Sequence, residues 1–380
     1  MKAFFNSLNY FEINKQNAVS KDRVISVDAL RGFDMFWIIG GEYIFKGLDR
    51  AVNNSITNEI SAQLDHAEWL GFTFYDIIMP LFMYLVGVSM VYSFRKRLSV
   101  DPSKPNLWKH ILIRIFWLWI LGMMLQGKLL TYDINEIKFY SNTLQAIAAG
   151  YIIAALFILN LSIIKQIIAT VGLMLVYWAV MVFAPIPGLG SGHFAPEVNF
   201  ALYIDKLLLG KFQDGTTYTW IISSLNFGAT TMLGVFTGYL LQSDNKPVTK
   251  LYYLIIAGVA LVVSGEVWGL VLPSIKHIWT SSFVLFSGGV CVLLLAFFYL
   301  LIDVLNFKKW SLFFIIIGSN AIAAYVSASL FNFTLVSVIF VGGLEKYVGA
   351  WYWFILATSG VAVLFLILRY MYKNKIFVKI

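Results

Sequence analysis

Long apolar stretches recur from one end of the chain to the other, separated by short polar segments. A helix needs roughly 17–25 mostly apolar residues to cross a bilayer, and at least ten stretches approach that length. The spans we predict lie near residues 25–45, 67–94, 107–126, 140–160, 162–184, 218–242, 250–270, 278–303, 310–330 and 350–370. The stretch 331–349 is ambiguous, and reads as a re-entrant or interfacial piece rather than a span. The predicted fold class is all-α, a polytopic transmembrane helical bundle of about ten spans.

Composition agrees with this pattern, because 59% of the residues are hydrophobic and only 13% are charged. A soluble protein carries about 25% charged residues. Clusters such as Arg95–Arg97, Lys308–Lys309 and Lys373–Lys375 fall in the segments on one side of the predicted spans. By the positive-inside rule that side is the cytoplasm, which places both termini there. The net charge of +8 is therefore mostly topogenic, and we expect no nucleic-acid partner.

This topology divides the chain simply. Residues 1–24 form a cytoplasmic segment without the apolar core of a cleavable signal peptide, and residues 25–380 form a single transmembrane domain. The long polar interval 185–217 lies outside, where YIDKLLLG resembles a short amphipathic helix along the interface. The single cysteine, Cys291, cannot form an internal disulfide.

Ionisable residues inside the spans are few, and each is costly enough to need a partner or a function. Asp28 and Arg31 are three residues apart on one helical face near the cytoplasmic end. They form a structural ion pair or, with Arg114, an anion site at the cytoplasmic mouth. Glu42 follows the pair Gly40–Gly41 and is either a structural carboxylate or a site residue.

The segment DHAEWLGFTFYDIIMP, residues 65–80, carries three chemically notable side chains into a span. His66 stands at the outer boundary, and Trp69 lies one helical turn below it. Asp76 follows about 15 Å deeper if the segment is helical. An interfacial histidine and tryptophan are ordinary in membrane proteins. An intramembrane aspartate is not, and Arg31 is its predicted partner by depth.

Two polar pairs also fall inside spans, Asn142 with Gln145 and Ser319 with Asn320. Each pair forms either interhelical hydrogen bonds or part of a polar cavity across the bilayer.

Several segments in chain order resemble one known family. They are RVISVDALRGFDMFW, HAEWLGFTFYDIIMPLFMYLVGVSM, YIDKLLLG, GSNAIAAY and the terminal KIFVKI. These segments look like the heparan-α-glucosaminide N-acetyltransferase family, whose bacterial members include proteins proposed as N-acetylglucosamine transporters. The chain departs from the family pattern at Ala146, where an arginine is usual, and at QDGTTYT, where an acidic turn is common.

The resemblance implies transfer of acetyl from cytosolic acetyl-CoA, a cosubstrate, to a glucosamine amine across the inner membrane, with His66 essential. His66 would act as general base or as acetyl carrier. Asn142, Gln145 or Asn320 would support the thioester oxygen, and Arg31 and Arg114 would face the CoA phosphates. Asp28 would hold Arg31, Asp76 would brace the tunnel, and Trp69 and Glu42 are candidate acceptor-binding residues.

Other functions remain open at this point. An amino-sugar permease, or an acyltransferase that acts on cell-wall glycan, fits the same polar residues. The expected partners are an amino sugar or glycan and membrane lipid, and the oligomeric state, a homodimer included, stays open. The four histidines are far apart in the sequence without ligand spacing, so we expect no metal.

Overall fold

A computed structural model describes residues 24–378 of the chain. Within these residues the regular structure is helical, apart from two isolated β-bridges between residues 186 and 199. The helices are α1 (Ile25–Phe36), α2 (Glu42–Val52), α3 (Ser55–Gln63), α4 (Ile78–Val100), α5 (Lys104–Leu125), α6 (Thr143–Asn160), α7 (Ile163–Phe183), α8 (Phe200–Leu209), α9 (Ser223–Gln242), α10 (Pro247–Gly269), α11 (Ser281–Tyr299), α12 (Leu312–Ser319), α13 (Ala321–Leu330), α14 (Phe333–Val341), α15 (Glu345–Val348) and α16 (Trp351–Lys373). The predicted all-α fold is confirmed.

Among the described residues, seven helical segments are long and apolar enough to cross a membrane. The pair α12 and α13 is an eighth candidate, although it is bent by 66° at Asn320. These candidates support a polytopic helical membrane protein.

Two of the predicted spans are helical but are not among these candidates, for different reasons. The first, 25–45, is divided into α1 and α2 by a π-helical turn at Trp37–Gly41, where Gly40 has φ +123°. The second corresponds to α9, which is buried along most of its length and carries buried Asn226, Thr230 and Thr231. A helix that is enclosed by other helices does not need an apolar surface on every side. The count of ten spans stays a prediction.

Helix α9 packs closely against α4 because both helices carry glycine at the crossing point. A Cβ added to Gly87 of α4 would lie 2.0 Å from the carbonyl oxygen of Thr231. A Cβ added to Gly234 of α9 would lie 1.9 Å from the carbonyl oxygen of Tyr84. Only the missing side chains allow the two backbones to approach this closely.

The short elements outside the long helices agree with two sequence expectations. The residues YIDKLLL lie within the ten-residue helix α8, and the following Gly210 is its C-cap. The ambiguous stretch 331–349 forms the short helices α14 and α15, and α14 has only nine residues. At 1.5 Å per residue, α14 would extend only about 14 Å, so it is too short to span a bilayer.

Candidate functional site

His66, Asp76 and Lys276 form one contact cluster. Nδ1 of His66 lies 2.9 Å from Oδ1 of Asp76 and 2.8 Å from Nζ of Lys276. Nζ of Lys276 donates to Oδ1 of Asp76 at 3.0 Å. Each of the three groups therefore contacts the other two.

The expected 15 Å separation between His66 and Asp76 is wrong, because the chain between them is not a helix. Residues 66–73 run irregularly, with Gly71 at φ +103°, and a short 3₁₀ turn at Phe74–Ile77 leads into α4. The segment folds back at this turn, and Trp69 does not stack one turn below His66. The contact with Asp76 thus depends on the local turn rather than on helical spacing.

Asp76 is fully buried, and the structure surrounds its carboxylate with donors. Besides His66 and Lys276, it accepts bonds from the backbone N–H of Thr73 at 3.1 Å and of Ala67 at 3.3 Å. The Thr73 hydroxyl donates at 3.1 Å. Such a set of donors favours the ionised form of a buried carboxyl. The predicted partner Arg31 is wrong, because Lys276 takes that place. The predicted role of Asp76 in bracing a tunnel stays a prediction.

Lys276 comes from the loop between α10 and α11, which is held rigidly from several sides. Trp279 has φ +52°, an uncommon conformation for a residue with a side chain. The carbonyl of Ile278 accepts from the hydroxyls of Tyr177 and Ser223, and the carbonyl of Trp279 accepts from the Asn226 amide at 2.7 Å. Burial lowers the pKa of the Lys276 ammonium, and the neighbouring Asp76 carboxylate opposes this change.

The neighbouring His277 has a structural environment rather than a catalytic one. Its ring stacks on Tyr218 with centroids 4.2 Å apart, and Nδ1 lies 2.7 Å from the Thr217 hydroxyl. Burial and then the nearby Lys276 charge lower the pKa of His277 to about 4. His277 is therefore neutral at physiological pH.

His66 and Lys276 line a cavity of about 520 Å³, which we call the histidine cavity. Its wall includes Tyr218, Trp220, Gln126 and Tyr325, and Lys128, Lys138 and Asp214 add charge. Because Nδ1 of His66 faces Asp76 and Lys276, Nε2 is the ring nitrogen left for a ligand. Of these residues, only His66 was predicted from the sequence.

Asn142 and Gln145 cap helix α6 and do not line the histidine cavity. The Asn142 side chain accepts from the backbone N–H of Leu144 at 2.7 Å. The Gln145 side chain accepts from the backbone N–H groups of Ser141 and Asn142 and donates to the carbonyl of Phe139. The Asn142 amide N–H donates to Oε1 of Gln126 at 2.9 Å, and Gln126 does line the cavity. The predicted role of Asn142 and Gln145 at the thioester oxygen stays a prediction.

Trp69, Glu42 and Asn320 also lie outside the wall of the histidine cavity. Trp69 donates through Nε1 to the carbonyl of Phe194 at 2.9 Å, which ties it to the loop before α8. Glu42 lies 3.7 Å from Nζ of Lys46 one turn along α2. Asn320 is bonded to the C-terminal segment.

A second cavity of about 670 Å³, the arginine cavity, contains Arg97, His110 and Arg114. The guanidinium of Arg114 lies 4.7 Å from the ring centroid of Tyr151, and its Nε is buried without a hydrogen-bond partner. Arg31, predicted to join Arg114, does not line this cavity. It contacts Asp28 at 3.4 Å and the hydroxyl of Ser89.

Helices α4, α6 and α13 contribute residues to the walls of both cavities, and we call this shared surface the seam. Helix α5 lines the arginine cavity, and Gln126, which follows α5, lines the histidine cavity. On α4, Phe82 lines the histidine cavity and Ser93 lines the arginine cavity. These residues are eleven positions apart, or about 17 Å along the helix axis. On α13, Tyr325 and Val326 are adjacent in sequence but belong to different cavities.

Within residues 24–378, no group of three or more His, Cys, Asp or Glu side chains is placed to hold a metal ion.

Comparison with known protein families finds no family that matches this chain, and comparison with curated proteins finds no match either. The resemblance drawn from the motifs stays a prediction.

Proposed function

We propose that this chain is a transmembrane N-acetyltransferase. It would move an acetyl group from acetyl-CoA on the cytoplasmic side to the amine of glucosamine, or of a glucosamine-ended glycan, on the opposite side. The observation that supports this most is His66 at the wall of the histidine cavity, with Nδ1 against the buried Asp76 carboxylate. A carboxylate that orients an imidazole is the usual support of a general base.

This role requires the tautomer in which Nδ1–H of His66 donates to Asp76, because Nε2 then carries the free lone pair. The acceptor amine would lose its proton to that Nε2 as it attacks the thioester carbon. The tetrahedral intermediate would then expel the CoA thiolate. Gln126 and Tyr325 share the cavity with His66, and their amide and hydroxyl groups are donors suited to the developing oxyanion. Direct attack in a ternary complex and transfer through an acetyl-His66 intermediate both use the same ring nitrogen.

The arginine cavity supplies a complementary site for the donor. Arg97 and Arg114 offer guanidinium groups that match phosphate geometry, and His110 lies beside them. The phosphates of CoA would bind there, and the pantetheine arm would follow the seam toward His66. The spacing of about 17 Å along α4 suits an extended arm of that kind.

The membrane arrangement belongs to the same proposal. We infer ten spans with both termini in the cytoplasm, residues 1–24 as a cytoplasmic segment, the loop 185–217 on the outside, and an inner-membrane location. The distribution of Lys and Arg supports this orientation.

The direct test is acetyl transfer from labelled acetyl-CoA to glucosamine, and to a short glucosamine-ended glycan, by purified protein in detergent. We expect His66→Ala to abolish transfer. His193→Ala is the matched control, because His193 is a half-buried loop histidine bonded only to the carbonyl of Leu189 among the described contacts. Equal activity of His66→Ala and wild type would refute the assignment of the base, and inactivity of wild type toward every acceptor would refute the acetyltransferase.

A second candidate function, an amino-sugar permease, is favoured by one observation. The pair α12 and α13 is a bent, interrupted helix, and discontinuous helices often form the substrate sites of transporters. Uptake of labelled N-acetylglucosamine into proteoliposomes, unaffected by acetyl-CoA, would support the permease. Uptake absent where acetyl transfer is present would exclude it.

A further inference from the structure

The last described residues of the chain bind back onto the helix break at Asn320. Helix α16 ends at Lys373, and Lys375 adopts the left-handed conformation with φ +57°. The backbone N–H of Ile376 donates to the carbonyl of Met371 at 2.9 Å, which closes this helix end. The segment 376–378 then reaches the break between α12 and α13.

Asn320 holds this segment through both ends of its side-chain amide. Nδ2 donates to the carbonyl of Ile376 at 3.0 Å, and Oδ1 accepts from the backbone N–H of Val378 at 2.9 Å. The side chain thus pairs with the segment as a neighbouring peptide group would. Asn320 is almost completely buried, so its amide would be left unsatisfied if the segment were absent.

The docked segment lies at the arginine cavity. Val378 is part of the wall that contains Arg97 and Arg114, and Ile322, Ala323 and Val326 of α13 form the adjoining surface. Asn320 immediately precedes this surface. One amide, at the break before α13, therefore holds the segment 376–378 beside this cavity.

We infer that the segment 376–378, held by Asn320, is a structural part of the donor-binding site in the arginine cavity. This inference rests on the proposed function, because the ligand it assigns to the cavity is CoA. The segment closes one side of the cavity through Val378. A CoA molecule bound against that side stabilises the docked position of the segment. Loss of docking weakens CoA binding and leaves binding of an amino sugar at the histidine cavity unchanged.

The test uses full-length protein in detergent and two ways to release the segment. Asn320→Ala removes both hydrogen bonds, and deletion of residues 376–380 removes the segment while keeping Asn320. Ser319→Ala is the matched control, because the Ser319 hydroxyl bonds only within its own helix, to the carbonyl of Ile316 at 2.8 Å. Trypsin cleavage after Lys375, followed by intact mass, reports docking, and binding of labelled CoA reports the site.

In Asn320→Ala we expect cleavage to be at least several-fold faster. We expect both altered proteins to bind CoA about tenfold more weakly, the scale of one or two lost hydrogen bonds. CoA should slow cleavage of wild type and of Ser319→Ala. Unchanged cleavage in Asn320→Ala would overturn the docking, and unchanged CoA affinity after release would overturn the assignment to the donor site alone. Wild type that binds no CoA would overturn both this inference and the proposed donor.

Discussion

Asp76 and Lys276 are the residues in the site with the greatest energetic cost if they are separated. Both side chains are buried, and removing one member of a buried ion pair leaves the other charge without compensation. His66 has a different position, because its side chain remains partly exposed to the cavity. The Asp76–Lys276 pair therefore stabilises the fold, and a substitution of His66 should change the stability of the protein less than a substitution of either member of the pair.

We predict that Asp76→Asn and Lys276→Met each destabilise the protein by about 3–5 kcal/mol. The double variant should be less destabilised than the sum of the two, because it contains no unpaired charge. Thermal or denaturant unfolding in detergent, with all four proteins in one cycle, measures the coupling. Additive effects would show that the two charges do not interact.

The chemistry at His66 and Asp76 could be predicted from residue type alone, but their geometry could not. An acid inside an apolar stretch demands a partner, and the structure supplies one, but that partner is Lys276 rather than the predicted Arg31. Lys276 was missed because it lies 200 positions from Asp76, in a loop whose sequence resembles any other connection. Asn142 and Gln145 are three residues apart, a spacing typical of a capping box, and that pattern alone indicates the role they have at the N-terminus of α6.

At the level of elements, the contact between α4 and α9 depends on glycines that permit close backbone approach. We predict that Gly234→Ala destabilises the protein by about 1–3 kcal/mol, since its Cβ would meet the Tyr84 carbonyl oxygen. Gly172→Ala on α7 is the control, because no atom lies within 4 Å of the added Cβ. It should stabilise by up to about 1 kcal/mol through helix propensity. If the unfolding midpoint shifted in the same direction from wild type in both variants, this account would be contradicted.

The short helix α8 is attached to the start of α9 by Asp205. Its carboxylate accepts from the backbone N–H of Trp220 at 2.7 Å and of Ile221 at 3.0 Å. Trp220 in turn lines the histidine cavity. Burial raises the pKa of Asp205 to about 6, although these hydrogen bonds oppose the change.

This raised pKa predicts a pH dependence with a definite sign. The folded state holds the Asp205 proton more tightly than the unfolded state, whose pKa is near 3.9, so its contribution is lost as pH rises from about 4 to 6. Asp205→Asn removes this loss and should gain stability relative to wild type, by up to about 3 kcal/mol, between pH 4.5 and 7.5. The unfolding midpoints of wild type and Asp205→Asn at pH 4.5 and at pH 7.5 measure this gain. A difference between the two proteins that does not change with pH would contradict the assignment.

The comparison must use the difference between the two proteins, because His277 contributes with the opposite sign. Its lowered pKa of about 4 makes stability rise with pH between about 4 and 6.5. The His277 contribution is the same in both proteins and cancels in that difference.

Most helix boundaries could be predicted from the apolar pattern, because length and hydrophobicity determine where a membrane helix begins and ends. The start of α4 was wrong, since the irregular run at residues 66–73 is itself largely apolar and aromatic. The division at Gly40 and the bend at Asn320 depend on tertiary packing and leave no periodic signal in the sequence.

For the whole molecule, the proposed orientation makes a prediction that does not depend on function. In a Cys291→Ser background, Thr216→Cys should react with a membrane-impermeant maleimide on intact cells. Lys96→Cys should react only after permeabilisation. Both positions are exposed, whereas Cys291 is fully buried. The reverse pattern would invert the topology and place the histidine cavity in the cytoplasm.

The separation between Asp76 and Lys276 along the chain has a consequence for biosynthesis. At about 5–20 residues per second, the ribosome needs roughly 10–40 s to synthesise the 200 positions between them. During that interval the nascent chain carries the Asp76 carboxylate and His66 but not the lysine partner of Asp76. A location at the edge of the apolar segment lets water solvate the carboxylate while insertion proceeds. Chains that terminate before residue 276 would keep this acid without its lysine partner.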